Sequence, residues 1–504
     1  ERWPINRLPD WEEAFARQQF GDDHAGDIAN LLHRYSLLQS DRKPELLNKK
    51  GPSVGCPFSL TNYREMERVT GQWLSLAEDA EALAENLSKE YRDTYYELVL
   101  YAIKASALMY EVRLAGFNNR LYADQGRAST NDMAAIAEDR FAKSRAMADF
   151  YNKELAGGKW NGFQTQPYLG YSGWQQPEEN SVALSDFIYP ELVTIETPLG
   201  SDMGIAVDGS DAYFPETETL PALPAFSPYQ AQPSQYIEVF NRGSSPFDYD
   251  ITVAPESNWL SISNASGTVD KSNNQVRAVL TIPDWTAVPA GTTDLTITVM
   301  NTTDFVSADV AAVVENPAVS PPKGVFMEAN GYVSMESGHY TRIVNKSPFT
   351  WTKIPGIGRT GSGMTPFPVT ADRITPGGDS ARLEYDMHLF SSGTVTVYVY
   401  LSPRQNVLPT DGLTFGLSID NGDIRSINIT EKLNPTPYPE GNPAWEKGVA
   451  DNVHIVLSRF DIANPGAHTL KLWAVDPAVI IQKLVVDTGG LLESYLGPKE
   501  SIRL

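Results

Sequence analysis

The period of the apolar residues changes once along this chain, and that change limits the folds open to it. Up to about residue 157, apolar side chains recur at steps of three and four. From residue 236 onward they alternate with polar ones. The first spacing lines one face of a helix and the second lines one face of a strand, so the chain is helical first and β afterwards. Tyr63, Met66, Val69, Trp73, Leu76, Ala80, Leu83 and Leu87 form one such helical stripe. Tyr95, Leu98, Val99, Ala102 and Ile103 begin a second, and Met133, Ile136, Ala137, Phe141 and Ser144 a third. Long helices with short connections predict a helical bundle over residues 1–195.

Residues 213–233 are rich in Pro, Thr, Ala and Ser, which predicts an interdomain linker over 196–232. Short alternating runs then follow from Tyr236 to Val314. In one of them Leu295, Ile297 and Val299 alternate with Thr296 and Thr298, as in an immunoglobulin-like β-sandwich, here over 233–318. After Pro317–Pro322 a second, jelly-roll-like β-sandwich is expected over 319–504. Within it Leu383, Tyr385, Met387 and Leu389 share one face. Ser391-Ser392-Gly393 then turns the chain into Val395, Val397 and Val399, which reads as a hairpin. Asp420-Asn421-Gly422-Asp423 is read as a hairpin turn, with a calcium loop as the alternative.

A length of 504 residues predicts about three domains. The formal net charge of −23 argues against nucleic acid and anionic membranes as partners. No apolar run approaches a membrane span. The single cysteine, Cys56, excludes an intrachain disulfide. Histidines lie without metal-ligand spacing, and neither a metal nor a cofactor is expected. The chain opens Glu1-Arg2-Trp3-Pro4 without an apolar leader, so it reads as a mature or truncated piece. Asn-x-Ser/Thr triplets at Asn86, Asn264, Asn301, Asn345 and Asn428 fit a secreted, extracellular protein.

Three stretches stand out as candidates for binding. Gly358-Arg359-Thr360-Gly361-Ser362-Gly363-Met364-Thr365-Pro366-Phe367-Pro368 carries too much Gly and Pro for a helix or a central strand, so a shaped loop is expected. Arg359 offers a planar fork suited to a carboxylate, either that of a ligand or one of its own domain such as Glu336 or Asp372. Just before it, Glu336-Ser337-Gly338-His339-Tyr340-Thr341-Arg342 adds hydrogen-bonding and flat side chains. The third stretch, Gly158 to Pro177, mixes Trp160 and Tyr168 with Gln and Asn. Such residues stack on sugars, or tie down a helix-to-sheet connection.

The two motifs around Tyr340 and Arg359, with the strand Arg382 to Phe390, resemble the C-terminal domain of family 115 glycoside hydrolases, which are xylan α-1,2-glucuronidases. Arg42 to Leu47, Asn118 to Asn131, Gly158 to Pro177 and the ending Tyr495 to Ser501 resemble that family as well. Gly162-Phe163 stands where a His-Met pair is more usual, so no role of that histidine carries over. The resemblance implies an inverting enzyme whose catalytic carboxylates lie on a TIM barrel preceding the helical domain, together with an α/β domain. An inverting pair stands roughly 6.5–9.5 Å apart, and no run of βα units is present here. Three expectations follow. This portion contributes no catalytic residue. His339, Tyr340, Arg342 and Arg359, with Trp160 and Tyr168, approach an acidic sugar of a xylan or glucuronoxylan oligosaccharide. The missing N-terminal catalytic domains are partners, and a homodimer is a further expected association. The reading from another class is a non-catalytic carbohydrate-binding or structural module. The residues encoded upstream of Glu1 discriminate the two.

Overall fold

A computed structural model describes residues 7–42, 46–47, 57–166, 191–319, 321–431 and 442–504. Six helices come first: α1 (Leu8–Phe20), α2 (Ala25–Asp41), α3 (Glu65–Asn86), α4 (Arg92–Tyr95), α5 (Tyr101–Asp124) and α6 (Thr130–Lys153). A π-helical turn, Tyr96–Leu100, joins α4 to α5. The stripe expected on α3 is the one that is buried, with Met66, Val69, Trp73, Leu76 and Ala80 inaccessible to solvent. These residues meet Ile28 and Leu31 of α2 and Ile103, Tyr110 and Phe117 of α5 in one core. Tyr495 and Leu496, close to the far end of the chain, belong to the same core.

The first sandwich contains β1 (Met203–Val207), β2 (Tyr213–Phe214), β3 (Ser234–Asn241), β4 (Phe247–Val253), β5 (Ser261–Ile262), β6 (Ser266–Val269), β7 (Gln275–Thr281), β8 (Gly291–Asn301) and β9 (Val306–Asn316). One sheet has the order β2-β1-β3-β7-β5 and the other β6-β4-β8-β9. This corrects the expected linker over 196–232. β1 pairs with β3 along its whole length, and Leu220, Leu223 and Phe226 are buried between the sheets. Met203-Gly204-Ile205-Ala206-Val207 is too short and too uniformly apolar to alternate, so it carries no period-2 signal. Gly204 is required there, because a Cβ would lie 2.1 Å from the Phe240 ring.

The second sandwich contains β10 (Phe326–Met327), β11 (Tyr332–Glu336), β12 (Arg342–Val344), β13 (Thr350–Pro355), β14 (Ser362–Phe367), β15 (Arg382–Leu389), β16 (Gly393–Leu401), β17 (Thr414–Ile419), β18 (Arg425–Asn428), β19 (His454–Ile462), β20 (Gly466–Ala474) and β21 (Ile481–Asp487). A short helix, α7 (Pro443–Asp451), precedes β19. The sheets run β10-β15-β20-β17-β18 and β13-β14-β21-β16-β19, with β12 added to the first and β11 to the second. Leu383, Tyr385, Met387 and Leu389 are all fully buried between them.

Two further expectations need correction. β15 and β16 are not a hairpin: they lie in opposite sheets, and the turn at Ser391–Gly393 carries the chain across the core. The Gly/Pro-rich stretch is also only half loop, since Ser362–Phe367 pairs with β13 throughout. On its other side it pairs with β21 at Met364 alone, so it is close to an edge strand and tolerates Pro366. The expected turn at Asp420–Asp423 does join the antiparallel pair β17 and β18, with Asp420 at positive φ.

Candidate functional site

The Gly-rich stretch leaves its own sheet and faces the helical bundle. Gly358 holds φ +89°, and a Cβ there would meet the Gln482 side chain at 2.4 Å, so glycine is needed on both counts. The Gln482 Oε1 accepts a hydrogen bond of 3.1 Å from the Arg359 N–H. These constraints aim Arg359 back toward the helices. Its guanidinium lies 4.1 Å from the centre of the Tyr495 ring, and that of Arg42 lies 4.2 Å from the same ring.

Between this loop and the helices α2 and α3 lies a half-open cleft of about 430 Å³. Leu37, Leu38 and Leu496 give it an apolar floor, while Asp41, Arg68, Gln72, Arg359 and Thr360 give it polar walls. Asp41 is the last residue of α2 and only 9% exposed. Burial pushes its carboxyl up to about 7 against the pull of Arg68 and Arg359. The other buried carboxylates are satisfied. Glu65 accepts backbone N–H groups, Glu328 the N–H of Ser391, and Asp208, Glu238, Glu384 and Asp476 pair with arginines. Asp41 makes no hydrogen bond or ion pair with any described residue, and the Arg68 Nε is buried without a hydrogen-bond partner.

The six residues singled out in the sequence do not all gather here. Arg359 lines the cleft. It does not pair with Glu336, which accepts from Thr360 Oγ1 at 2.9 Å and lies 3.2 Å from Lys483 Nζ. His339 Nδ1 lies 2.8 Å from a Glu500 oxygen. Tyr340 packs against the core of the second sandwich. Arg342 is committed within its sheet, donating to Glu384 at 2.7 Å and to both Asp386 oxygens. These carboxylates hold its guanidinium well above its ordinary pKa. Trp160 stacks edge-on with Phe163 and packs on Tyr101, Tyr151 and Leu155 at the other end of the bundle. Tyr168 lies outside the described residues. Asp41, Arg68 and Gln72 were missed. They sit on helices, where a charged residue ordinarily marks a solvated face, and only Asp41-Arg42 closing an apolar helix hinted at burial.

Among the described residues, no group of three or more His, Cys, Asp or Glu could hold a metal, and no helix is long and apolar enough to cross a membrane.

Comparison with known proteins bears on the second sandwich first. The family model described as the glycosyl hydrolase family 115 C-terminal domain matches residues 325–500. That segment is similar to the C-terminal domain of family 115. The matched segment begins at β10 and includes Tyr495 and Leu496, which enter the helical core. The whole architecture, helices followed by two sandwiches, is similar to a family GH115 4-O-methyl-α-glucuronidase, BtGH115A, described as having specificity for decorated arabinogalactans. The TM-score is 0.51 and the identity 12%, over 96% of this chain and 42% of that one. This chain therefore spans less than half of that enzyme's length. Carbohydrate-binding modules also match. The C-terminal CBM6 of the laminarinase LamC from Zobellia galactanivorans has 12% identity over 31% of this chain and 98% of that one, with TM-score 0.21. A family 35 module from Clostridium thermocellum has 11% identity over 31% of this chain and 97% of that one, with TM-score 0.21. No curated protein sequence matches.

Proposed function

We propose that this chain is the C-terminal portion of a secreted α-1,2-(4-O-methyl)glucuronidase, an inverting glycoside hydrolase that removes glucuronic acid side chains from xylan. The observation that carries this reading is the family 115 match over 325–500. The shared order of helices and sandwiches supports it. The chain holds and shapes the site from outside, and the catalytic carboxylates lie on a barrel beyond these residues. The buried carboxylates other than Asp41 are committed to backbone or arginine partners. His339, Tyr340, Arg342, Arg359 and Trp160 are proposed sugar contacts. Arg359 is the best placed of them, and Arg342 the least, since its donors are already used. The polysaccharide is glucuronoxylan, with decorated arabinogalactan as the other acceptable backbone, given what is stated of BtGH115A.

The test is release of 4-O-methylglucuronic acid. This chain is incubated with glucuronoxylan and with arabinogalactan, alone and joined to the region encoded upstream of Glu1. We expect release only from the joined protein. Release by this chain alone, abolished by a single Asp or Glu substitution within it, would overturn the division of labour. An inactive joined protein would overturn the activity.

A further inference from the structure

Asp41 and Arg68 line the same cleft from the ends of two helices, and they do not pair with each other. Asp41 closes α2 and is 9% exposed. Arg68 stands in the first turn of α3, half-buried, and its buried Nε has no hydrogen-bond partner. The other groups that face Asp41 are already committed. Glu65 of α3 accepts the N–H groups of Ser59, Tyr495 and Leu496. Lys483 of β21 donates to the carbonyls of Leu496 and Pro498 and lies 3.2 Å from Glu336. Arg359 is held by the Tyr495 ring and hydroxyl, and Arg42 by the same ring and the Leu46 carbonyl. Arg34 pairs with Asp79 at 2.6 Å. Burial holds the Tyr110 hydroxyl of α5 well above its ordinary pKa, so it stays neutral. Among the described residues that face Asp41, Arg68 is the cation with donors to spare.

Arg68 also stands among like charges. Burial, and then the charges of Arg68 and Arg64, hold the Lys499 ammonium below its ordinary pKa. A carboxylate set against Arg68 relieves this crowding, and a neutral carboxyl does not. We propose that Asp41 and Arg68 form a proton-controlled latch across the cleft. With its proton on, the Asp41 carboxyl offers the guanidinium no charge, the two side chains stand apart, and the cleft of about 430 Å³ is open. When that proton leaves for solvent, Arg68 swings onto the carboxylate, ties the end of α2 to the start of α3 and fills part of the cleft. The move needs only a change of rotamer in one long side chain. Burial pushes the Asp41 carboxyl up to about 7 against Arg68, Arg359 and Lys483, so the two states exchange around neutral pH. The cleft is therefore open in acid and closed in base. The latch acts on the cleft whatever the cleft holds, and it does not rest on the activity proposed above.

The experiment compares crystals of the full chain at pH 5 and pH 9. We expect Arg68 within hydrogen-bond distance of the Asp41 carboxylate at pH 9 and apart from it at pH 5. A pair at both pH values, or at neither, would overturn the proposal, and this comparison uses the parent chain, so it stands even where a variant does not fold. In solution, carbon-13 NMR of the Asp41 carboxyl, assigned by its loss in Asp41→Asn, follows the titration. Arg68→Met should raise the midpoint by about one pH unit or more, since an arginine beside a carboxylate lowers its pKa by about 1–3. Arg68→Lys separates a latch from a mere field of charge. It keeps the charge but loses the planar fork, so its midpoint should stay roughly half a pH unit or more above that of the parent. A midpoint unchanged by Arg68→Met, or one fully restored by Arg68→Lys, would also overturn it.

Discussion

Asp41 is where the molecule gives up stability. Burial raises its pKa from 3.8 to about 7, Arg68, Arg359 and Lys483 oppose that rise, and Glu65 adds to it. Because the folded pKa is the higher one, the folded state holds a proton that the unfolded chain has already released. The stabilisation is fully present below the unfolded pKa and is lost as pH rises through about 7. Asp41→Asn removes this slope. At pH 8 the variant should be more stable than the parent by on the order of 1–4 kcal/mol, since each tenfold change in proton affinity is worth about 1.4 kcal/mol. Near pH 4 the two should be equal. Urea midpoints from pH 4.5 to 8 measure this, and an advantage that does not grow with pH would show that the carboxyl is not held neutral by burial. Only part of this was legible in the sequence. Arg359 announced itself through the glycines around it. Asp41 and Arg68 lie some 300 residues earlier, and no local pattern links them to that loop.

At the scale of elements, the polar segment that runs from the end of α5 into the start of α6 is the informative case. Residues 118–131 carry more polar side chains than a bundle interior usually does, and the structure gives the reason. Asn119 holds the backbone of Val193 from both ends of its amide, and Gln125 Nε2 donates to the Asp211 carbonyl at 2.8 Å. Arg127, 1% exposed, donates to Glu238 of β3 at 2.7 Å and lies 4.0 Å from the Phe240 ring centre. Arg277 of β7 bridges the same Glu238 to Glu67 of α3. Burial alone would raise the Glu238 pKa, but the two arginines hold it below its ordinary value. Glu238→Gln should therefore cost about 3–5 kcal/mol, because it strands a buried guanidinium. Glu67→Gln, at the exposed rim of the same network, should cost under about 1 kcal/mol. Equal effects by urea denaturation would mean that this network does not couple the bundle to the first sandwich. The errors in reading the strands have a related origin. Alternation reports which face of a strand is buried, but not which sheet it joins, so β15 and β16 read as a hairpin. β1, buried along its whole length, showed no alternation at all.

For the whole molecule, the decisive contact joins the two ends of the sequence. Glu65, the first residue of α3 and fully buried, accepts the N–H groups of Ser59, Tyr495 and Leu496 at 2.9, 3.0 and 2.6 Å. Tyr495 packs edge-on against Phe58 with ring centres 5.3 Å apart, and its hydroxyl donates to the Asp451 carbonyl at 3.0 Å. The tail of the second sandwich thus completes the core of the helical bundle, and the cleft exists because the two are held together there. If so, bundle and second sandwich melt as one unit. Tyr495→Ala removes a buried aromatic ring and the surface on which Arg42 and Arg359 rest, a loss of about 3–5 kcal/mol. In scanning calorimetry the parent should show these two parts in a single transition. The variant should show the bundle melting first and the sandwich later, near its former temperature. A variant that keeps one transition, merely shifted downward, would place the coupling elsewhere along the interface.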